Sequence, residues 1–391
     1  MKILQVHTRY RRPGGEDAVA HAEAELLEAS GHDVVRFVTD NPSNPAAAAT
    51  ALAAAPWNPA AMRRIRRVVV QHAPDVAHVH NTWYALSPAV FPALKRMGVP
   101  VVMTLHNFRL MCANGLLFRD GRPCQDCVGS HPWHGVRHRC YRKSAIASTA
   151  AAATIATHHA RGTWHDDVDA FLALTNFARD RFIESGLPAH RVLVKPNFTD
   201  DPGPRPTPPT ESDIVLFVGR LSPEKGIEEL LRAWNDADPR PLRLLVVGDG
   251  PLRKRMTALA GPRTQILGFC EPDEVRRLML QARALVFPSR WYEMFALTIV
   301  EAMAAGLPVV ASDLGGIPDV LGDAAPMLLP VGHHGKWVAT LDRLTDDEGL
   351  AEAGRRGRKR YETRFSQSAA LQALESVYQR ALETSSKERP G

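Results

Sequence analysis

ALVFPSRWYEMFALTIVEAMAAGLPVVASD, residues 284–313, reads as strand, loop, helix and strand in one uninterrupted run. ALVFPS (284–289) is a short apolar stretch bounded by Pro288. Helix formers begin near Leu297 and stop at Gly306 before Pro308, the order in which a helix closes. LPVVASD (307–313) is apolar and β-branched again. Two strands joined by a helix must lie parallel, and parallel strands occur in sheets covered by helices on both faces. This run therefore predicts an α/β fold.

The same rhythm continues outward. IVLFVG (214–219), LRLLVVG (242–248) and TQILGF (264–269) precede the run, and APMLL (325–329) follows it. An earlier series comprises KILQVH (2–7), DVVRFV (33–38), VAHVH (76–80), VVMTLH (101–106), FLALT (171–175) and VLVKPN (192–197), with DAVAHAEAELLEASG (17–31) as a helix closing on Gly31. Residues 200–213, DDPGPRPTPPTESD, hold five prolines and separate the two series as a linker. We expect two doubly wound domains, 1–199 and 214–368, with a helix and tail at 369–391; charged helical sequence from about 346 to 384 is expected to return across to the first domain. The 391 residues, 45% hydrophobic and 23% charged, suit two globular cores. MKILQVH (1–7) opens directly as a strand, and no apolar run of about 18 residues exists, so a cytoplasmic protein is expected.

Charge is uneven. Residues 1–205 carry 24 Lys and Arg against 17 Asp and Glu, and the remainder 24 against 25. A basic first half suits an anionic membrane leaflet, a phosphate-bearing acceptor or a plain solvated surface. RRIRRVVVQ (63–71) has no aromatic interleaving, which argues against nucleic acid and for a solvated helix face.

Three places carry chemistry. Glu293 and Glu301 are eight residues apart; on one helix they would diverge by about 80° and 12 Å, so Glu293 is assigned to the loop and Glu301 to the helix. The N–H groups around Phe295 to Thr298 then mark a helix start, where anions bind. FVGRLSPEKGIEELLRAW (217–234) ends a strand at Gly219, with Arg220 and Lys225 at its carboxyl edge, two cations fit to neutralise a departing diphosphate. VVGDGPLRKRM (246–256) adds a turn at Gly248. At the amino end HTRYRRPGGEDAVA (7–20) sets Gly14 and Gly15 between strand and helix, and Glu16 serves either as a helix-start residue or as a site residue.

SRWYEMFALTIVEAMAAGLPVVASDLGGIPDV (289–320) closely resembles the E-x7-E signature of glycosyltransferase family 4, the retaining enzymes of GT-B architecture, some of which build surface polysaccharides. The resemblance implies two Rossmann-like domains facing a central cleft. It assigns Glu293 to the donor sugar hydroxyls, Glu301 to the nucleotide ribose, the Phe295–Leu297 amides to the diphosphate, and Arg220 and Lys225 to the leaving group. Gly14, Gly15, Gly219 and Gly248 fall in donor-facing loops, and His106, closing TLHN (104–107), points toward the reacting sugar. Ala296 departs from the glycine common in the family. The implied reaction transfers a hexose-type sugar from a UDP- or GDP-linked donor to a glycan, lipid-linked or small-molecule acceptor, with retention and no catalytic metal or other cofactor. An epimerase or phosphorylase on the same fold, or a silent nucleotide-sugar-binding partner, are the alternatives.

Cys112, Cys124, Cys127 and Cys140 form C-x11-C-x2-C-x12-C in an insertion at about 108–145. Four thiols with one C-x2-C knuckle suffice for a structural zinc; His131, His134 or His138 could replace one ligand, and free packed thiols or a redox role are the other readings. Asp166, Asp167 and Asp169 mimic a metal-binding D-x-D but precede a strand, which favours a solvated turn.

Overall fold

The computed structural model describes residues 1–11, 14–324 and 327–387. Parts of three sequence readings lie outside them: positions 12–13 of the first loop, 325–326 of the last strand, and 388–391 of the tail. In chain order the strands are β1 (Lys2–Arg9), β2 (Asp33–Asp40), β3 (Val76–Asn81), β4 (Val101–Leu105), β5 (Phe118–Arg119), β6 (Arg122–Pro123), β7 (Ala170–Ala173), β8 (Val192–Val194), β9 (Ile214–Val218), β10 (Arg243–Val247), β11 (Thr264–Gly268), β12 (Ala284–Phe287), β13 (Val309–Ser312) and β14 (Met327–Leu329). They form two six-stranded parallel sheets and one short antiparallel hairpin, β5–β6.

The chain divides into two compact units. Unit 1 holds Met1–Leu117, Cys124–Pro196 and Ala370–Gly391. Its sheet runs β2-β1-β3-β4-β7-β8. One face buries Ile3, Val76, Val102 and Leu172 against Leu374, Val377 and Tyr378 of the helix Gln367–Lys387, so the last helix packs in unit 1. The tail is not one helix. Asp347–Arg364 and Gln367–Lys387 are separate because Phe365 leaves helical geometry (φ −126, ψ 6) to bury its ring, 5.9 Å from that of Phe295.

Unit 2 holds Phe118–Pro123 and Asn197–Ala369. Its sheet runs β11-β10-β9-β12-β13-β14, the order of a dinucleotide-type fold, with the reversal between β9 and β12. Successive strand residues face opposite sides. Val215, Phe217, Ala284 and Val286 accordingly pack with Ile227, Trp234 and Trp337. Leu216, Leu285 and Phe287 pack with Ile299, Val300 and Tyr361 on the other side. Both faces are covered, so neither central strand shows a polar alternation. The proline-rich stretch read as a linker belongs to unit 2, where it makes a single turn at Pro209–Glu211 and buries Pro209. The D-x-D reading as a solvated turn needs correction at Asp169. That carboxylate is buried, pairs with Lys95 Nζ at 2.6 Å and accepts the Val101 N–H at 2.7 Å, fastening the start of β4.

Candidate active site

In a doubly wound sheet the loops leaving two strands on either side of the order reversal part in opposite directions and open a crevice at their carboxyl ends. In unit 2 those strands are β9 and β12, which pair directly at Leu216 and Leu285. The β9 loop carries Gly219, Arg220 and Lys225, and the β12 loop Ser289 and Glu293. Lys225 Nζ donates to Glu293 Oε1 at 2.6 Å, and Ser289 Oγ donates to the same oxygen at 3.0 Å. Lys225 also lies over the rings of Trp291 (5.2 Å) and Phe287 (5.5 Å), which hold the ammonium by cation–π attraction. Glu293 is buried. A buried carboxylate needs such partners to remain charged.

The two loops are stitched together through the backbone. The Arg290 N–H donates to Glu224 O at 2.8 Å, and Arg290 pairs with Glu229. Gly226, at φ +69, lies so close to the β12 loop that a Cβ there would fall 1.9 Å from Pro288 O. Gly248, at φ +135, approaches Gly219 as closely: its Cβ would lie 1.9 Å from Gly219 O. Glycine is therefore required at both positions by contact as well as by φ. On the far side the Gly316 N–H donates to Glu293 O at 2.8 Å, so the turn after β13 fixes the Glu293 backbone.

Arg220 is exposed and makes no ion pair among the described residues. The helix Leu297–Ala304 begins after Phe295 and Ala296, and Glu301 lies on it, one loop and one helix having taken the two carboxylates as expected. Glu301 opens into a different hollow, about 250 Å³, also lined by Val218, Phe269, Cys270, Val275 and Arg276. Burial raises the Glu301 pKa and Arg276 pulls it back. This hollow approaches the smaller ligand pockets of about 300 Å³. Phe269, 70% exposed at its rim, is an aromatic surface without a core to join. The sequence reading missed Ser289, Phe269 and Arg276; a strand-end position marked the first two, and Arg276 lies within the helix Pro272–Gln281 with no such signal.

In unit 1, Gly14 caps the helix Gly15–Ala29, and neither Gly14 nor Gly15 has an atom within 4 Å of a would-be Cβ. Glu16 is more than a helix-start residue. Asn107 Nδ2 donates to its Oε2 at 3.1 Å, and burial, opposed by that bond, raises its pKa to about 8. His106 follows β4, half-buried, with its pKa lowered to about 3 chiefly by burial and then by His7 and Lys195. Its Nε2 lies 3.0 Å from His80 Nδ1. The adjoining cavity, lined by His80, Asn81, His106 and Trp164, holds only about 40 Å³, room for a water or two at about 30 Å³ each.

None of the four insertion cysteines is in a disulfide, and Cys112 and Cys127 are buried. Burial first, then Cys112, Cys124 and Cys140 in electrostatic reach, push Cys127 up to about 12. Among the described residues, three ligand atoms within 4.8 Å of one another occur at Glu23, His78 and His80, all buried. Lys195 already pairs with Glu23, so an ammonium supplies the positive charge there.

Two doubly wound parallel sheets in tandem, with this loop constellation in the second, define the GT-B glycosyltransferase fold. Anabaena Alr3699/HepE, crystallised with UDP, matches 97% of this chain over its whole length at TM-score 0.67 and 20% identity. Sucrose-phosphate synthase from Thermosynechococcus elongatus matches 98% of this chain and 99% of its own at TM-score 0.71 and 19% identity. The "Glycosyltransferase Family 4" model covers residues 13–201 and the "Glycosyl transferases group 1" model residues 204–360. Each model matches a little under half of the chain, and together they make it similar along nearly its whole length to glycosyltransferases of family 4 and group 1. Its curated relatives include the alpha-D-kanosaminyltransferase of Streptomyces kanamyceticus, 26% identical over 74% of this chain and 73% of that one. The D-inositol 3-phosphate glycosyltransferase of Mycolicibacterium smegmatis is 35% identical over 44% of this chain and 42% of its own.

Proposed function

We propose that the chain transfers a hexose-type sugar, with retention, from a nucleoside diphosphate donor held by unit 2 to an acceptor hydroxyl held by unit 1. The observation that carries this reading is the Lys225–Glu293 pair at the β9–β12 reversal, 2.6 Å between its charged atoms. Lys225 has two further N–H donors for a diphosphate, and exposed Arg220 adds a second cation on the same loop. Charge that builds on the leaving phosphate is then met by fixed side-chain cations, and no catalytic metal is required by the proposal. Glu293 is free on one oxygen to accept from sugar hydroxyls, and Glu301 from a ribose. Ser289 spends its hydroxyl on Glu293 and Glu293 is itself held by Lys225, so neither is offered as a nucleophile, which favours a front-face path in which the leaving phosphate takes the acceptor proton. UDP is the first donor nucleotide to test, because Anabaena Alr3699/HepE was crystallised with UDP and with UDP-glucose.

Thermal shift with UDP, GDP, ADP and dTDP tests the donor half, since a ligand at 100 times its Kd adds about 2.7 kcal/mol. Proton NMR of the product formed from an α-linked donor tests retention: an α product is expected, and a β product overturns it. Acceptors should include lipid-linked ones, given the arginine-rich helix Pro59–His72 on unit 1. For the insertion we propose a structural zinc on Cys112, Cys124, Cys127 and Cys140. What favours it is a backbone hard to hold otherwise: Leu117, Asp120, Arg139, Arg142 and Lys143 all have positive φ without being glycine. About one zinc per chain is expected by elemental analysis; a metal-free, fully ordered insertion would refute it.

A further inference from the structure

We propose that His80 is a positioning residue, which together with Gln5 fixes the tautomer of His106 so that His106 presents an N–H, and never a lone pair, to the substrate side. This rests on the reading of His106 as a residue of the sugar-transfer site.

The chain of contacts begins at Gln5 on β1. Its Nε2 donates to Ala20 O at 2.6 Å, which settles which end of the amide is nitrogen. The same nitrogen is 3.4 Å from His80 Nε2, so its second N–H is directed there and His80 Nε2 accepts. Glu23 Oε2, buried without a hydrogen-bond partner, lies 3.6 Å from that nitrogen, beyond hydrogen-bond distance, so the nearer Gln5 N–H is the one that meets it. His80 is buried and its pKa is well below the usual value, chiefly through burial, so it carries one ring proton. With Nε2 accepting, the proton is on Nδ1 and is donated to His106 Nε2 at 3.0 Å. His106 is neutral for the same physical reason, so its own proton must sit on Nδ1. Nε2 is the only His106 atom with a hydrogen bond among the described residues, which leaves Nδ1 unpartnered on a half-buried ring. The rings of His80 and His106 are stacked at 5.3 Å, which fixes the plane as well as the tautomer.

Buried groups around the pair work to the same end. His7 on β1, His78 on β3, Lys195 after β8 and the Lys195-paired Glu23 face it, and Glu16 is tied to neighbouring Asn107. None of them offers His106 Nδ1 a competing acceptor. His78, whose ring lies 4.3 Å from that of His80, has both ring nitrogens taken by Tyr378 OH at 2.8 Å and Thr104 Oγ1 at 2.7 Å. His106 thus meets an oxygen lone pair on the substrate, a hydroxyl or carbonyl oxygen, and cannot be the base that deprotonates the acceptor. This agrees with a reaction in which the leaving phosphate takes that proton.

The test is nitrogen NMR of the full chain carrying 15N-histidine, with His106→Asn to assign the signals. In the wild type, His106 should show a protonated Nδ1 and no titration between pH 5 and 8. His80→Phe removes the donor, and Gln5→Leu releases His80 to either tautomer; both should give a mixed His106 tautomer. Each should lower kcat about tenfold, some 1.4 kcal/mol of misdirected hydrogen bond, with UDP affinity unchanged. Having two variants guards against one that misfolds. An Nε2-protonated His106 in the wild type overturns the proposal, as does an unaltered tautomer in both folded variants. A correct tautomer with unaltered kcat in His106→Asn would instead overturn the role of His106 in transfer, leaving the tautomer assignment intact.

Discussion

The two units share a sheet architecture but treat polar groups differently. Unit 2 keeps its ionised groups at the strand ends, where Lys225 and Glu293 neutralise each other beside exposed Arg220. Unit 1 draws imidazoles inward: His7, His78, His80, His106, His158 and His159 all have lowered pKa, in each case chiefly through burial. Unit 2 has His333 and His334, both exposed. Charge poised for a ligand is best kept at a rim, where partners can be exchanged. A fixed direction of hydrogen bonding is best built from neutral groups in an interior that denies them a proton.

The largest effect that would sharpen this contrast is on turnover. Lys225→Ala, which also leaves Glu293 buried with Ser289 as its remaining side-chain partner, should lower kcat by roughly 10²–10³-fold, the scale of one preorganised electrostatic group. Arg220→Ala should approach the same loss. Steady-state kinetics near wild type for either would remove that side chain from the leaving-group role. Glu301→Gln should act mainly on donor KM, since a ribose contact is equally present before and during bond breaking.

Acid should find unit 1 first. Below pH 6.5 the unfolded histidines take protons that the folded ones refuse, so stability is full above 6.5 and falls as pH drops toward the folded values. His106 (about 3) and His158 (about 4) remain neutral at pH 5, and each then costs about 2 kcal/mol. Hydrogen exchange at pH 5 and 7.5 should show β3, β4 and the helix Ala145–Ala160 losing protection before β9 and β12. Equal loss in both units would erase the contrast.

Glu16 offers an effect of opposite sign. Its folded pKa of about 8 lies above the ordinary 4.5, so holding it costs stability progressively as pH rises from 4.5 to 8. Glu16→Gln should therefore match wild type in Tm near pH 4 and exceed it by a few degrees at pH 8, with no further gain above. The smallest effect is local. Cys127→Ser should raise protease sensitivity between residues 108 and 145 and leave UDP binding unaltered.

The sequence by itself determined the parallel α/β class, every strand of both sheets within a few residues, and the division of Glu293 and Glu301 between loop and helix. Those features rest on local periodicity and on Gly306 and Pro308, which act within a few positions. Only the tertiary structure decided partners. The Lys225–Glu293 pair joins residues 68 apart. Asp169, which local sequence marks as a turn, is buried because it fastens Val101 and Lys95. VAHVH (76–80) reads as a strand, in which alternate residues such as His78 and His80 share a face, yet their roles depend on which partners arrive from elsewhere. Tyr378 reaches His78 from 300 residues away, and Gln5 reaches His80 from 75. Periodicity tells which side of an element a residue faces; what waits there is set by the packing of elements distant in sequence.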